Sequence, residues 1–249
     1  MSEPPSLDAV RREFERAAEG FAERTAGRFD GLDAVAFSRI EQGSSVLEVG
    51  AGTGNFLALF AGIARRRVAA DLTPGMLAAA RRRQPTLELV AADGARLPFV
   101  NDSLDLVCSA QALHHMAHPV PVVMEMRRVV SPRGRVLIVD QVAPERFEEA
   151  RAMNELDRVR DPTHAASRPP SALRTIVQAA GLVLVDERIV ESASRLSRWM
   201  WRGEFPAERI SAVRRFIEQR GLETGMCFEP DGDDWIFRRR RMMLLAGYV

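Results

Sequence analysis

One short stretch concentrates most of the chemistry this sequence offers: Val46-Leu47-Glu48-Val49-Gly50-Ala51-Gly52-Thr53-Gly54-Asn55-Phe56. An apolar run ends in a carboxylate, opens into a glycine-rich turn and continues as a predicted helix over Phe56 to Ile63. Strand, loop and helix in that order make a nucleotide site, and the acid in its mouth reports the charge of the ligand. A dinucleotide fingerprint spaces its glycines G-x-G-x-x-G and seats a pyrophosphate on the helix N-terminus. Here the glycines stand at 50, 52 and 54, and Asn55 occupies the position that fingerprint requires. Glu48 would also repel a pyrophosphate, because like charges in a partly desolvated cleft cost several kcal/mol at an effective dielectric of ~20. A cationic ligand reverses that argument. Val68-Ala69-Ala70-Asp71-Leu72 is a second apolar run closed by an acid. It lies about twenty residues past the first glycine, the distance expected for a carboxylate on ribose hydroxyls. A plain turn residue at a strand end is the alternative for Asp71.

The pattern E-x-G-x-G-x-G, met at Glu48, Gly50, Gly52 and Gly54, resembles the first motif of class I S-adenosylmethionine-dependent methyltransferases. That cofactor carries a sulfonium, an ammonium and one carboxylate. Glu48 is then expected to face the ammonium, directly or through water. The N–H groups of the loop, from Gly50 through Ala51 to Asn55, and the helix end are expected to take the carboxylate. Asp71 and Leu72 sit at the ribose position, and Met76 is placed against the adenine. A second segment, Asp93-Gly94-Ala95-Arg96-Leu97-Pro98-Phe99, resembles the D-x-x-x-L-P-F of ubiquinone/menaquinone-type (methyltransferase type 11) enzymes. The resemblance implies that Asp93 accepts from the adenine amino group and that the Gly94 N–H meets the ring. A fourth strand, Ser103 to Ala110, brings Ser109 and Ala110 to the methionine portion. The resembling stretch runs from about Val46 to Asp140.

The elements that must position these residues alternate strand and helix, which implies a parallel sheet with right-handed crossovers. The fold class expected is α/β, a Rossmann-like doubly wound sheet. The resemblance implies seven strands in the order 3-2-1-4-5-7-6, the last antiparallel. The whole chain, 1–249, reads as one methyltransferase domain: an N-terminal helical cap over 1–42, a cofactor-binding half over 43–143, and lid insertions at 144–170 and 192–230. Asp8 to Arg24 reads as an amphipathic helix with Val10, Phe14, Ala17, Ala18 and Phe21 on one stripe. Two readings of Phe21 stand open: a cofactor contact, as the Tyr often found there in resembling proteins implies, or core packing. Leu32 to Glu41 is predicted as a second helix, Leu182 to Val190 as the sixth strand, and Trp235 to Tyr248 as the last. The second insertion reads as two helices, Ala193 to Trp201 and Pro206 to Arg220. Its Trp199, Met200, Trp201 and Phe205 either line a planar acceptor or bury one helix face.

In the reaction the resemblance implies, an acceptor lone pair attacks a methyl carbon in line with the departing sulfur. An amine acceptor need only be neutral, whereas a phenol or activated carbon gains from a base. His114 and His115, after the fourth strand, are the leading candidates, with helix-end packing as the alternative. His164 is a third candidate. It closes Arg160-Asp161-Pro162-Thr163-His164, which resembles an R-D-P-[ST]-H element of a methyltransferase subgroup, although an Asx-type turn explains the Asp and Pro as well.

Composition narrows the classes. The chain has 249 residues and formal net charge +1, so bulk charge gives no support for a nucleic-acid binder. All 35 basic residues are Arg, which excludes Schiff-base chemistry on lysine. Arg65-Arg66-Arg67 and Arg81-Arg82-Arg83 read as helix C-terminal charges, and Arg238 to Arg241 as a solvated, partly paired strand edge. Two cysteines, Cys108 and Cys227, make no metal or disulfide pattern, and no metal is expected. No apolar segment reaches the length of a membrane span. The expectation is a cytoplasmic enzyme with S-adenosylmethionine as cofactor and a small, hydrophobic, perhaps aromatic acceptor. Neither membrane nor nucleic-acid partner is expected, and the oligomeric state, monomer or homodimer, is open. An RNA or protein methyltransferase, a non-catalytic binding protein and a nicotinamide-dependent oxidoreductase are the competing classes. The last is opposed by the glycine spacing and by Glu48.

Overall fold

The computed structural model describes residues 5–200 and 205–248. The apolar runs that end in acids become the central strands: β1 (Ser45–Val49), β2 (Arg66–Asp71), β3 (Glu88–Ala91), β4 (Leu104–Ala110) and β5 (Val130–Val142). These five are parallel. β6 (Val183–Arg195) and β8 (Asp234–Gly247) complete the order β3-β2-β1-β4-β5-β8-β6, with β8 antiparallel to both neighbours. An eighth strand, β7 (Glu229–Asp231), pairs only with β8 through a hairpin at Gly232. The expected order therefore stands, with the chain's last strand in the seventh-strand place.

Residue period two divides the sheet into two apolar faces. On one, Leu47, Val49, Val107 and Ile138 meet α4 (Pro119–Val129) and α6 (Pro170–Ala179). On the other, Val46, Leu106 and Leu137 meet α2 (Ala34–Ser38) and α3 (Pro74–Arg83). α1 (Leu7–Arg24) begins at Ser6, whose hydroxyl accepts from Ala9 N, and it packs across α3.

Several boundaries differ from the sequence expectation for identifiable reasons. The helix expected over Phe56–Ile63 shrinks to a single 3-10 turn, Leu57–Phe60, because Gly43 N bonds Ile63 O and draws the chain back towards β2 at once. The helix expected over 32–41 is only α2, ended by Arg39 in a left-handed conformation. Ala193 to Arg195 extend β6 by pairing with Arg238, Phe237 and Ile236, so only α7 (Leu196–Trp199) remains of the helix expected over 193–201. Trp201 lies outside the described residues. Arg65 precedes β2, while Arg66 and Arg67 sit in it, where Arg66 pairs with Glu88 and Arg67 bonds Leu57 O and Gln84. Arg238 to Arg241 are on an inner strand, not an edge: Arg238 meets Glu191, Arg239 binds both oxygens of Asp157, and Arg241 donates to Arg28 O.

The two insertions, α5 (Phe147–Arg160) and the segment carrying α7, α8 (Ala207–Arg220) and β7, share a third apolar core with Phe237 of β8. Trp199 lies 5.1 Å from the Phe237 ring and is flanked by the guanidinium groups of Arg160 and Arg239. Met200 is buried there, and Phe205 packs beside it. These side chains are core rather than an open aromatic cage. Phe237→Ala is expected to cost about 3–5 kcal/mol in urea unfolding. A loss under 1 kcal/mol would mean that the insertion is not packed as described.

Candidate functional site

A cavity of about 540 Å³ opens at the carboxyl ends of β1, β2, β3 and β4 and is roofed by α1. Ligands of open α/β sheets bind at such strand ends. The roof is fastened at two points. Glu15 accepts from Gly75 N at the start of α3, and the Asn55 amide donates to Ala22 O and Thr25 Oγ1. Val10, Phe14 and Phe21 of α1 face the space.

The floor is the glycine turn, and its shape depends on glycine at particular points. Gly50 has φ +72°, and a Cβ there would lie 2.6 Å from the Ala112 Cβ. Gly54 has φ +75° and packs against Leu87 and Gln84, away from the cavity. Asp71 holds the turn from the side: Oδ2 accepts from Gly52 N at 2.7 Å and Oδ1 from Thr73 N at 2.8 Å. The Asp71 carboxyl nevertheless lines the cavity, where burial raises its pKa against those bonds. Gly50 N and Ala51 N both donate to Ala70 O, and Gly54 N to Ala51 O.

Glu48 is 1 % exposed and reaches the same cavity. Burial, then the neighbouring Asp71, pushes its pKa well above the ordinary carboxylate range, while a bond from Leu57 N opposes the shift. Its Oε2 has no hydrogen-bond partner among the described residues. Burial and Asp71 thus disfavour the anionic form of the lip expected from the sequence until a cation arrives. A buried acceptor atom without a donor, beside an enclosed space, fits a ligand that carries an ammonium group.

Of the cofactor residues expected from the sequence, Phe21, Glu48, Gly50, Ala51, Gly52, Asn55, Asp71, Leu72, Met76, Asp93, Gly94 and Ala110 line the cavity. Gly54 and Ser109 do not: Gly54 serves packing, and Ser109 is fully buried within β4 with no partner for Oγ. Asp93 closes its own turn by accepting from Ala95 N, and the Asn55 amide is committed to α1.

The three histidines separate. Only His115 lines the cavity. Its Nδ1 lies 3.2 Å from Thr163 O and 3.1 Å from Thr163 Oγ1, whose own proton goes to Asp161 Oδ1 at 2.6 Å. Both neighbours of Nδ1 can then only accept, so Nδ1 carries the proton and Nε2 the lone pair. His114 is 8 % exposed and points inward, its Nδ1 2.6 Å from Asp140 Oδ1. Burial lowers the pKa of His114 and lifts that of Asp140 to about 6, so the ring is a neutral hydrogen-bond partner of the carboxyl. His164 is buried against Asn154 and Ser167 N, and burial lowers its pKa to about 3. The expectation that His114 and His164 reach an acceptor is thus corrected: both lie behind His115, at ring-centroid distances from His114 of 4.2 Å to His115 and 5.7 Å to His164. The Asp161 element instead staples the His115 turn. Ala165 N and Ala166 N bond His114 O, and Arg168 bonds Leu113 O and Met116 O.

The lid expectation is corrected as well. None of the residues lining the cavity comes from 144–170 or from the described part of 192–230. Arg28, Gln111 and His118 line it without having been read from sequence as site residues. Gln111 and Asp140 had one available signal: Asp140 ends an apolar run, as Glu48 and Asp71 do. Among the described residues there is no cluster of three or more His, Cys, Asp or Glu suited to a metal, and no helix is long and apolar enough to cross a membrane.

Comparison with known proteins bears on this geometry. The family described as "Methyltransferase domain" matches residues 47–138. The chain is 32% identical over 170 residues to a demethylmenaquinone methyltransferase of Mycobacterium bovis, covering 66% of this chain and 69% of that one. It is 29% identical over 173 residues to YcgJ of Bacillus subtilis, named an uncharacterized methyltransferase, with 68% of each covered. The crystal structure of YcgJ superposes with a TM-score of 0.80 at 23% identity, over 87% of this chain and 97% of that one. The match to a demethylmenaquinone methyltransferase of Renibacterium salmoninarum, at 35% identity, is shorter, 39% of this chain and 41% of that protein. On these matches the chain belongs to the S-adenosylmethionine-dependent methyltransferases.

Proposed function

We propose that the cavity binds S-adenosylmethionine and that the protein transfers its methyl group to a small hydrophobic acceptor. The unpartnered Oε2 of buried Glu48 beside the cavity carries this reading. S-adenosylmethionine, when bound, supplies an electrophilic methyl group on a positively charged sulfur. Glu48 ionises to accept the ammonium, and Asp71, already fixed by Gly52 and Thr73, offers its remaining lone pairs to the ribose hydroxyls. Asp93, Gly94 and Met76 hold the adenine side. The roof of Val10, Phe14 and Phe21 excludes water, which suits a reaction that disperses charge. Holding two reactants at near-attack distance is worth roughly 7–11 kcal/mol, and this is the main contribution asked of the protein.

His115 is the general base of this reading. Its Nε2 takes the acceptor's proton as the new bond to carbon forms. Thr163 and Asp161 hold the ring in the required tautomer and stabilise the imidazolium that results. The apolar wall favours an acceptor that is itself apolar, and the quinone-type methyltransferases among the relatives agree with that class.

Three outcomes are expected. S-adenosylmethionine and S-adenosylhomocysteine at about 100 times Kd should each add about 2.7 kcal/mol, a rise of roughly 5–10 °C in Tm. NAD should add nothing, and stabilisation by NAD alone would contradict the reading. His115→Ala should lower kcat by about 10²–10⁴ at unchanged affinity for S-adenosylhomocysteine. Undiminished turnover would show that the acceptor needs no base here.

A further inference from the structure

Arg28 follows α1 in the turn that closes the roof, and its side chain lines the cavity. Its backbone is well held: N donates to Thr25 O, and O accepts from Arg241. Its guanidinium is not. The group lies 5.8 Å from the Phe21 ring, and it makes no hydrogen bond or ion pair with any described residue. The charges that reach it have the wrong sign. After burial itself, Arg160, Arg241 and Arg239 bring its pKa down to about 10, and Asp140 alone opposes them. Asp140 is already bonded to His114 and Gln141 N, and Arg239 to Asp157. At neutral pH this end of the cavity therefore presents a cation with no bonded counterion among the described residues. A half-buried charge of this kind is costly unless something of opposite sign meets it.

The glycine turn sharpens the point. A carboxylate entering the cavity would ordinarily be received by loop N–H groups, but those of Gly50, Ala51, Gly52 and Gly54 are engaged within the protein, which leaves few of the turn's donors for it. The 3-10 turn that follows is too short to act as a helix terminus. Arg28 offers a planar fork of donors matched to a carboxylate.

We propose that Arg28 is a carboxylate-binding residue of the cavity, its guanidinium taking the amino-acid carboxylate of the cofactor or, at the same place, that of an anionic acceptor. The inference rests on the cavity being the S-adenosylmethionine site. Calorimetric titration of unaltered protein, Arg28→Gln and Arg28→Lys separates the outcomes, using S-adenosylhomocysteine and 5′-methylthioadenosine, which lacks the amino-acid tail. If the cofactor's carboxylate is the ligand, Arg28→Gln weakens S-adenosylhomocysteine about 10- to 100-fold, leaves 5′-methylthioadenosine unchanged, and Arg28→Lys falls between. If the acceptor's carboxylate is the ligand, S-adenosylhomocysteine is unaffected. Binding of 4-hydroxybenzoate to the S-adenosylhomocysteine-saturated protein then falls by a similar factor. Unchanged binding of all three compounds in both variants overturns the inference. Failure of both nucleosides to bind the unaltered protein removes the reading of the cavity itself, and this inference with it.

Discussion

Two carboxyl groups buried under one glycine turn set the terms for the rest of this molecule. Glu48 lies near the end of β1 and Asp71 ends the neighbouring β2, and burial raises the pKa of each. Asp71 resolves its burial internally, through N–H groups of Gly52 and Thr73, and so fixes the turn in a single shape. Glu48 resolves only half of its own, leaving one oxygen without a donor. An unmade bond in the interior costs about 1–3 kcal/mol, and beside an enclosed space a ligand can supply the missing donor. A positively charged ligand does so, and it explains an acid at Glu48, where a diphosphate would be repelled.

Everything else around the cavity serves to enclose that pair. α1 is tied down by Glu15 and Asn55 and supplies the apolar roof. The helical insertions form a separate core beyond the carboxyl end of β5, and a loop links them to the cavity. There Asp161, Thr163 and Arg168 grip the short turn carrying His115. The insertion thus orients a cavity residue although none of its described residues lines the cavity. Aromatic side chains around Trp199 and Phe237 stabilise that support.

Sequence made the parallel strands legible because each is an apolar run closed by an acid or a turn, and their period leaves no other burial. It made the glycine turn legible because positive φ at Gly50, Gly52 and Gly54 demands that residue type. What it concealed depends on long-range packing. The length of β6 is set by pairing with β8 out to Ile236, which no local pattern announces. The three histidines are alike in sequence, and only tertiary placement turns His115 outward and His114 towards Asp140. Trp199 and Met200 look the same whether they line a ligand or a core. Arg28 was hidden for a similar reason: among 35 arginines, one whose side chain lines the cavity is recognisable only from its tertiary placement.

The most direct test of the central electrostatic claim is the proton count on binding. Calorimetry of S-adenosylmethionine at pH 7, in buffers of different ionisation enthalpy, measures it for the unaltered protein and for Glu48→Gln. Because the Glu48 pKa is raised in the empty cavity and lowered by a cation, the unaltered protein should release protons on binding. Glu48→Gln should release correspondingly fewer and bind more weakly. An identical proton count in the two proteins would contradict the account.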